Sequence, residues 1–227
     1  VVIVGWDDSY SKDNFNTDLE GDGAFICQNS WGDNFGENGF FYISYYDTNI
    51  GTHNVVYTDI ENTDNYDHIY QSDLCGWVGQ LGYNKDSIYG ANVFTAEGNE
   101  TLKAASFYAT GKDSQYELYV VRQFEDETSL EKMIPVASGK LGNAGYYTVD
   151  FNQGIEVDAG ERYAVVLYII TPGSVHPMAI EYAADEATEN VDLDDGESYI
   201  SANGSKWVSV DTVEKSNLCI KAFSDNR

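Results

Sequence analysis

The chain has 227 residues, of which 38 are acidic and 12 are basic, and its formal net charge is -26. Such acidity argues against nucleic acid and anionic membrane surfaces as partners, and it suits a secreted protein or one that binds divalent cations. No stretch reaches the roughly 18 apolar residues of a membrane-spanning helix. The length allows one large domain or two small ones.

The composition indicates a β-rich protein without a disulfide framework. The chain holds 18 Tyr, 21 Gly and only 3 Pro, and it has few long helical periodicities. Its 3 cysteines are too few, and odd in number, for a set of disulfides. Cys27 and Cys219 lie in apolar runs, so we expect buried free thiols at both positions.

The first part of the chain predicts three strands joined by polar connections. Val1–Trp6 is a continuous apolar run, which is typical of a buried strand. Residues 7–23 are polar and rich in Asp, Asn and Gly, which predicts a long surface connection. Residues 24–29 and 39–46 predict two paired strands with a connection rich in Gly and Asn between them.

A polar stretch separates this part from the rest of the chain. Asp, Glu and Asn dominate residues 59–67, as in a linker, and we place the domain boundary near residue 62. Short antiparallel strands beyond it predict a mainly β fold, with a jelly-roll β-sandwich over residues 63–227. The predicted strands are Ser87–Ala96, Thr101–Thr110, Tyr116–Phe124, Ile134–Ser138, Tyr146–Phe151, Tyr163–Ile170, Met178–Tyr182, Tyr199–Ala202, Trp207–Val210 and Asn217–Phe223.

The most specific signal lies between the two paired strands of the first part. Gln28-Asn29-Ser30-Trp31-Gly32 is followed by Gly36-Glu37-Asn38-Gly39-Phe40. An amide oxygen at a strand end can accept a hydrogen bond from a ring nitrogen and so hold an imidazole in one tautomer. Without further context, an Asn and a Trp beside glycines are more often turn and packing residues.

The order of these motifs after Val1–Trp6 closely resembles the C-terminal half of a papain-like cysteine peptidase of the C1 family. The resemblance implies that Asn29 orients the catalytic His, as the third member of a Cys-His-Asn set. It also implies that Trp31 shields the His-Asn hydrogen bond, and that residues 1–62 form part of a papain-like β-barrel half. Gln28 is expected to be only a strand residue, because the oxyanion-hole glutamine of the family precedes the nucleophile.

The same resemblance implies that two catalytic residues lie outside this sequence. In the family the His stands two residues before the position of Val1, and the nucleophilic Cys lies far upstream. His53, His68 and His176 all follow the motif, in the wrong order to replace it. We therefore expect a C-terminal fragment that is inactive alone, produced either by truncation or by cleavage from an N-terminal half that remains its partner.

Residues 63–227 resemble the lectin-like sandwich that follows the papain-like domain in some bacterial cell-surface cysteine peptidases. The resemblance rests on Tyr66–Asp73 with Gly76-Trp77, and on Leu102–Tyr108. It implies a secreted or cell-surface protein of a Gram-positive bacterium, a peptide or protein substrate for the intact enzyme, and cell-wall carbohydrate or protein as a further partner. The alternative function is a carbohydrate- or cell-wall-binding module without catalysis.

No cofactor is required, but calcium is a candidate ligand, because the resemblance implies calcium in related sandwiches. Asp64, Asp67 and Asp73 offer carboxylate oxygens near the start of the second part, with Asx-capped turns as the alternative. Two further acidic segments have similar patterns, with solvated loops as the alternative. These segments are Asp18-x-Glu20-x-Asp22 and Asp192-x-Asp194-Asp195-Gly196-Glu197.

Sugar binding by a β-sandwich needs exposed aromatic rings with polar groups around them. Four aromatic residues are candidates for such stacking, although in a chain this rich in aromatics each is more often a packing residue. They are Trp77, Tyr83, Tyr89 and Trp207, the last beside Asn203.

Overall fold

The computed structural model describes residues 1–52, 54–58, 60–210 and 214–227. Its backbone contacts divide the chain into two units, Val1–Asp59 and Ile60–Arg227. No helix in these described ranges is both long and apolar enough to cross a bilayer. Cys27 and Cys219 are buried free thiols, as the sequence predicts, whereas the free thiol of Cys75 is exposed.

In the first unit, the described residues form an antiparallel sheet in the order β1-β2-β3. Its strands are β1 (Val2–Asp7), β2 (Ala24–Gln28) and β3 (Phe40–Ser44), and a 3-10 turn spans Lys12–Asn14. These strands match the three that the sequence predicts. The connection before β2 is polar and mostly exposed, as expected for residues 7–23.

Burial of the first strand was predicted wrongly. The side chains of Val2, Val4 and Trp6 are 63%, 50% and 69% exposed. An apolar run predicts a strand, but it carries no information about which layer covers the strand. β1 is an edge strand of the sheet, and no described residue of its own unit covers these side chains.

The described residues of the second unit form thirteen strands in three antiparallel sheets. The sheet orders are β10-β7-β16-β4, β14-β13-β6-β11-β8-β9 and β15-β12-β5. A 3-10 turn spans Glu127–Glu131. The strands are β4 (His68–Tyr70), β5 (Gly79–Leu81), β6 (Ser87–Thr95), β7 (Glu100–Ala109), β8 (Ser114–Val121), β9 (Ile134–Leu141), β10 (Gly145–Val157), β11 (Arg162–Ile170), β12 (Met178–Glu181), β13 (Ser198–Ser201), β14 (Val208–Ser209), β15 (Asn217–Leu218) and β16 (Ile220–Asn226).

The main core lies between the four-stranded and six-stranded sheets. Side chains of alternate residues point into it, as the period of a strand requires, and Phe107, Leu118 and Leu167 are essentially fully buried there. β11 pairs with both β6 and β8, and this central position explains its long apolar sequence. The mainly β fold with a jelly-roll sandwich, predicted from the sequence, is confirmed.

Two strands were missed in the sequence, and the single strand predicted over Asn217–Phe223 is divided into β15 and β16, which belong to different sheets. β4 and β5 contain three residues each, which is too short for an alternating pattern to stand out. Each is nevertheless paired in register, β4 with β16 and β5 with β12.

Glu100 joins the strands of the four-stranded sheet through a buried carboxylate. The carboxylate accepts hydrogen bonds from Tyr70 Oη at 2.8 and 2.9 Å, from Ser224 Oγ at 2.5 Å and from the Gly98 N–H at 2.8 Å. Burial by itself raises the pKa of Glu100. The bonds from Ser224, Tyr70 and Gly98 outweigh burial, so the net pKa lies below the ordinary value of 4.5.

We expect Glu100→Gln to destabilise the protein by about 1–3 kcal/mol at neutral pH, because an amide nitrogen cannot accept these bonds. A lowered carboxyl pKa contributes stability that is present above the unfolded pKa and is lost as pH falls through the folded pKa. The difference between variant and wild type should therefore shrink below about pH 4. Urea unfolding of both proteins at several pH values measures this difference in stability.

The exposed Glu131→Gln provides the matched control and should change stability by less than about 0.5 kcal/mol. A Glu100→Gln variant as stable as wild type at neutral pH, or a difference that does not change on acidification, would contradict this role of the carboxylate.

Candidate functional site

Asn29 lies at the end of β2, where the strand runs into the Gly-rich loop. Its backbone N–H donates to the carbonyl of Gly39 at 3.0 Å, which closes the mouth of the β2-β3 connection. In the sheet register Gln28 pairs with Val2 on one side and Phe40 on the other. Asn29 therefore stands at the sheet end from which β1 starts.

The carboxamide of Asn29 is held in one orientation by its neighbour. The Ser30 N–H donates to Asn29 Oδ1 at 2.8 Å. An amide oxygen has two lone pairs, so one acceptor position remains after this bond. The side chain is partly exposed, and the oxygen can therefore accept a second hydrogen bond from a group that approaches from solvent.

The loop that follows holds Trp31 on a short stack of aromatic rings. Trp31 meets Phe35 edge-on with ring centroids 5.0 Å apart, and Phe35 meets Phe41 of β3 at 5.6 Å. The indole is nevertheless 73% exposed. Gly36 has a φ of 55°, and a Cβ there would lie 2.2 Å from the Phe40 carbonyl oxygen, so the turn requires glycine.

None of the described histidines lies in the first unit with Asn29. His68 is in β4, where its Nε2 lies 2.9 Å from Asn226 Oδ1 and its Nδ1 lies 3.7 Å from Glu97. His176 is in a loop of the second unit. His53 lies outside the described residues. Among the described residues of the first unit, Asn29 and Trp31 therefore lie together and no imidazole accompanies them.

The three predicted calcium ligands are not brought together. Asp67 accepts two hydrogen bonds from Asn226, Asp64 is exposed, and Asp73 is buried in an ion pair with Lys221 whose closest atoms are 3.1 Å apart. Burial raises the pKa of Asp73, and Lys221 limits that rise. Within the described ranges, no three His, Cys, Asp or Glu side chains are arranged to hold a metal.

A different set of oxygens surrounds one atom of the second unit, the side-chain nitrogen of Asn217. Four oxygens lie close to Asn217 Nδ2, and we call them, together with the Asn217 amide, the Asn217 cluster. They are the Ser72 carbonyl at 2.8 Å, the Asp192 carbonyl at 2.8 Å, Glu181 Oε1 at 3.1 Å and Asp195 Oδ1 at 3.5 Å.

The Asn217 cluster contains more acceptors than its donor can satisfy. An amide nitrogen carries two hydrogens, so it cannot donate to four oxygens at once. The Asn217 Oδ1 and the Ser72 Oγ are buried and have no hydrogen-bond partner in the described part of the chain. Which atom of a carboxamide is oxygen depends on the assigned orientation. Rotating the amide would place its oxygen where the nitrogen lies, so that the other four oxygens would stand 2.8 to 3.5 Å from it.

Five converging oxygens form a donor set suited to calcium, because Ca²⁺ is bound by carboxylates, amide oxygens and backbone carbonyls. Only Glu181 and Asp195 contribute carboxylates, which explains why no three acidic side chains form a group here. Burial and the nearby charges of Asp192 and Glu181 raise the pKa of Asp195. A cation at this point would remove that unfavourable charge repulsion.

The sequence indicated only part of this cluster. The acidic segment Asp192–Glu197 was recognised as a candidate cation loop, and it does supply two of the oxygens. Glu181 and Asn217 were predicted only as strand residues, at the ends of β12 and β15. Both side chains are fully buried. The signal that was missed is the pairing of the Glu181 carboxylate with the Asn217 amide across two neighbouring strands.

The chain resembles known proteins over both units. The lectin-like domain family matches residues 69–224, and the papain family of cysteine proteases matches residues 1–60. No curated protein matches the chain by sequence.

Two solved structures are similar to this chain over nearly its whole length. The clostridial cysteine protease Cwp84 after propeptide cleavage is 27% identical with a TM-score of 0.79, and the match covers 98% of this chain and 56% of that one. The cysteine protease and lectin-like domains of Cwp84, a surface layer associated protein of Clostridium difficile, are 24% identical with a TM-score of 0.71, covering 98% and 50%.

The chain thus spans about half the length of these solved chains. The lectin-like match extends over well more than half of the present sequence, and the papain-family match adjoins it. The chain belongs to the lectin-like domain family, and its first 60 residues resemble the C-terminal part of a papain-family cysteine protease.

Proposed function

We propose that this chain supplies the histidine-orienting part of a papain-like cysteine peptidase that hydrolyses peptide bonds in protein substrates. The observation that carries the proposal is the carboxamide of Asn29, fixed by Ser30 at a strand end with one acceptor position remaining. The papain-family match over residues 1–60 supports it. The chain spans only part of its solved relatives, so the activity of the whole enzyme belongs to this proposal.

Asn29 contributes to the chemistry by holding a ring. In the family, a cysteine thiolate attacks the scissile carbonyl, and an imidazole transfers the proton to the leaving amine. The family places that imidazole two residues before the position of Val1, on the strand that pairs with β2. The remaining lone pair of Asn29 Oδ1 would accept its ring N–H and fix the tautomer, while the indole of Trp31 would cover that bond.

The exposed apolar side chains of β1 support the presence of a further layer in the intact enzyme. Val2, Val4 and Trp6 are each at least half exposed, and a soluble protein rarely leaves so many neighbouring apolar side chains in water. We propose that the N-terminal half of the peptidase covers them, either in the same polypeptide or as a cleaved partner.

The intact enzyme is proposed to act outside the cell or at the surface of a Gram-positive bacterium. The strong acidity of the chain is compatible with a secreted protein. One solved relative is described as a surface layer associated protein.

The 227-residue chain by itself is expected to hydrolyse no unstructured peptide, because it supplies neither the thiolate nor the imidazole in the order of the family motif.

In the complete peptidase, we expect Asn29→Ala to lower kcat/KM on the order of 10²-fold, because misplacement of a catalytic ring by about 1 Å has a comparable cost. Asn29 acts through the ring, so the pH profile of kcat/KM should also change as the imidazole loses a fixed tautomer. Hydrolysis of a fluorogenic peptide over a range of pH measures both.

The neighbouring exposed residue supplies the control, since Gln28→Ala should change kcat/KM by no more than about two-fold. Equal losses in Gln28→Ala and Asn29→Ala, or an unchanged pH profile in Asn29→Ala, would exclude the orienting role.

We further propose that the lectin-like unit binds a calcium ion at the Asn217 cluster. The supporting observation is the surplus of oxygens around a single buried amide whose own oxygen has no described partner. Ser72, Glu181, Asp192, Asp195 and Asn217 would provide the ligands. The ion would neutralise the buried carboxylate of Glu181 and the exposed one of Asp195, and it would hold the acidic segment 192–197 against β12 and β15.

Calcium should raise the melting temperature of the chain and EGTA should reverse the rise, since a ligand at about 100 times its Kd stabilises a protein by about 2.7 kcal/mol. Asn217→Leu should abolish the response. Asn217→Asp should be unstable in EGTA and rescued by calcium, because a carboxylate can ligate the ion but cannot donate hydrogen bonds. Calorimetry with and without calcium measures these shifts.

The exposed Asn152→Ala is the control and should keep the full calcium response. An unchanged melting temperature of the wild type on adding calcium would reject the site, and so would an Asn217→Asp variant that calcium does not rescue.

A further inference from the structure

The outer face of the six-stranded sheet, which points away from the main core, is only partly covered. One half carries a second hydrophobic cluster that includes Phe124, Leu130 and Val166, with Trp207 packed against it. The other half, at the start of β8 and the ends of β9 and β11, carries polar and aromatic side chains and no such cover in the described part of the chain. The sheet therefore offers one open area beside a covered one.

The strand register places a continuous row of side chains across this face. Tyr168 of β11 is paired with Tyr89 of β6 and with Glu117 of β8. Tyr89 is paired in turn with Ser201, and Glu117 with Ser138. Paired residues lie on the same face of a sheet, so all five side chains belong to the outer face.

A shallow groove of about 280 Å³ lies over the open half of this face. Beside Tyr168 it is lined by an amide, a carboxylate, a hydroxyl and an ammonium group within one small area, together with the apolar edge of Ile170. These polar lining residues are Gln115, Glu117, Ser138 and Lys140.

The aromatic part of the groove is held rigidly. Tyr168 stacks on Tyr89 with ring centroids 4.2 Å apart and planes 22° apart. Tyr89 in turn meets Trp207 edge-on at 6.3 Å, and Gly204 leaves room for its ring. A ring fixed in this way loses little conformational entropy when a ligand packs on it. Glu117 is held as well, because the Tyr119 hydroxyl donates to it.

The polar part of the groove is balanced in charge. It contains one acid and one base in a chain whose net charge is -26. Glu117 and Lys140 are exposed and form no ion pair with each other in the described structure. A neutral ligand with many hydroxyl groups fits this surface, because it can both donate to Glu117 and accept from Lys140 and Gln115. The overall charge of the chain disfavours an anionic ligand.

We propose that this groove is a binding site for a neutral pyranose oligosaccharide, with Tyr168 as the stacking platform and Gln115, Glu117 and Lys140 as hydrogen-bonding partners. A sugar ring combines an apolar face with hydroxyls around its edge, which matches an aromatic ring bordered by donors and acceptors. The inference deepens the alternative binding function of the lectin-like unit and is independent of the proposed peptidase activity.

The other aromatic candidates are less suited to this role. Tyr83 packs against the main core, and Trp207 is committed to the hydrophobic cluster. Trp77 is 37% exposed and tilts against Tyr108 at 5.8 Å, but it is not one of the residues that line this groove. Tyr89 supports the platform through its stacking on Tyr168.

The test titrates the full chain with cellotetraose, mannotetraose and chitotetraose up to about 10 mM, followed by two-dimensional NMR and calorimetry. At least one tetrasaccharide should shift backbone signals in β8, β9 and β11. Tyr168→Ala should weaken its affinity about ten-fold, since an aromatic contact of this size carries roughly that share of the binding free energy. Gln115→Ala, an exposed substitution that leaves the core intact, should weaken it several-fold.

Trp77→Ala is the matched control and should leave the affinity within about two-fold of wild type. Failure of all three tetrasaccharides to shift these strands would overturn the proposal. It would also be overturned if Trp77→Ala removed binding while Tyr168→Ala and Gln115→Ala kept it, or if polygalacturonate bound through Lys140 in preference to the neutral probes. None of these results bears on peptide hydrolysis, which is measured separately.

Discussion

The pairing of β11 with β6 on one side and β8 on the other determines most of what the second unit can do. This single strand directs Leu167 and its alternate neighbours into the main core and Val166 into the second cluster. Because strand side chains alternate, the same register also sets Tyr168 in a row with Tyr89 and Glu117. A shift by one residue would bury that row and expose the core, so the stability of the sandwich and the character of its surface depend on one register.

The first unit depends on pairing in a comparable way. β2 lies between β1 and β3, and Asn29 directly follows its last residue, at the edge of the sheet where β1 and β3 begin. The catalytic arrangement proposed here needs nothing from Asn29 except a fixed orientation, which the Ser30 N–H and the bond to Gly39 supply. The unit therefore has the proposed orienting group held in one position, while its apolar strand β1 remains uncovered by described residues of the same unit.

The sequence predicted what is local and missed what depends on distant parts of the chain. β11 could be recognised because a long apolar run bounded by turns has few other interpretations. The papain-family resemblance could be recognised because the motif around Asn29 is contiguous. Burial of β1 was predicted wrongly, because the burial of a strand depends on the elements that pack against it. A run of apolar residues carries no information about those elements. The Asn217 cluster could not be predicted from the sequence, because Glu181 and Asn217 become neighbours only through the pairing of β12 with β15.

The span of the Asn217 cluster has a consequence for how the sandwich withstands unfolding. Its amide reaches the carbonyl of Ser72 across 145 residues of chain, and all three cysteines are free thiols, so no covalent bond closes that distance. Closing a long loop removes conformational entropy from the unfolded chain whatever the chemistry of the link. A calcium ion bound there would act as a reversible cross-link between the two ends of the domain. The durability of the folded protein would then follow the free calcium concentration of its surroundings instead of their redox state.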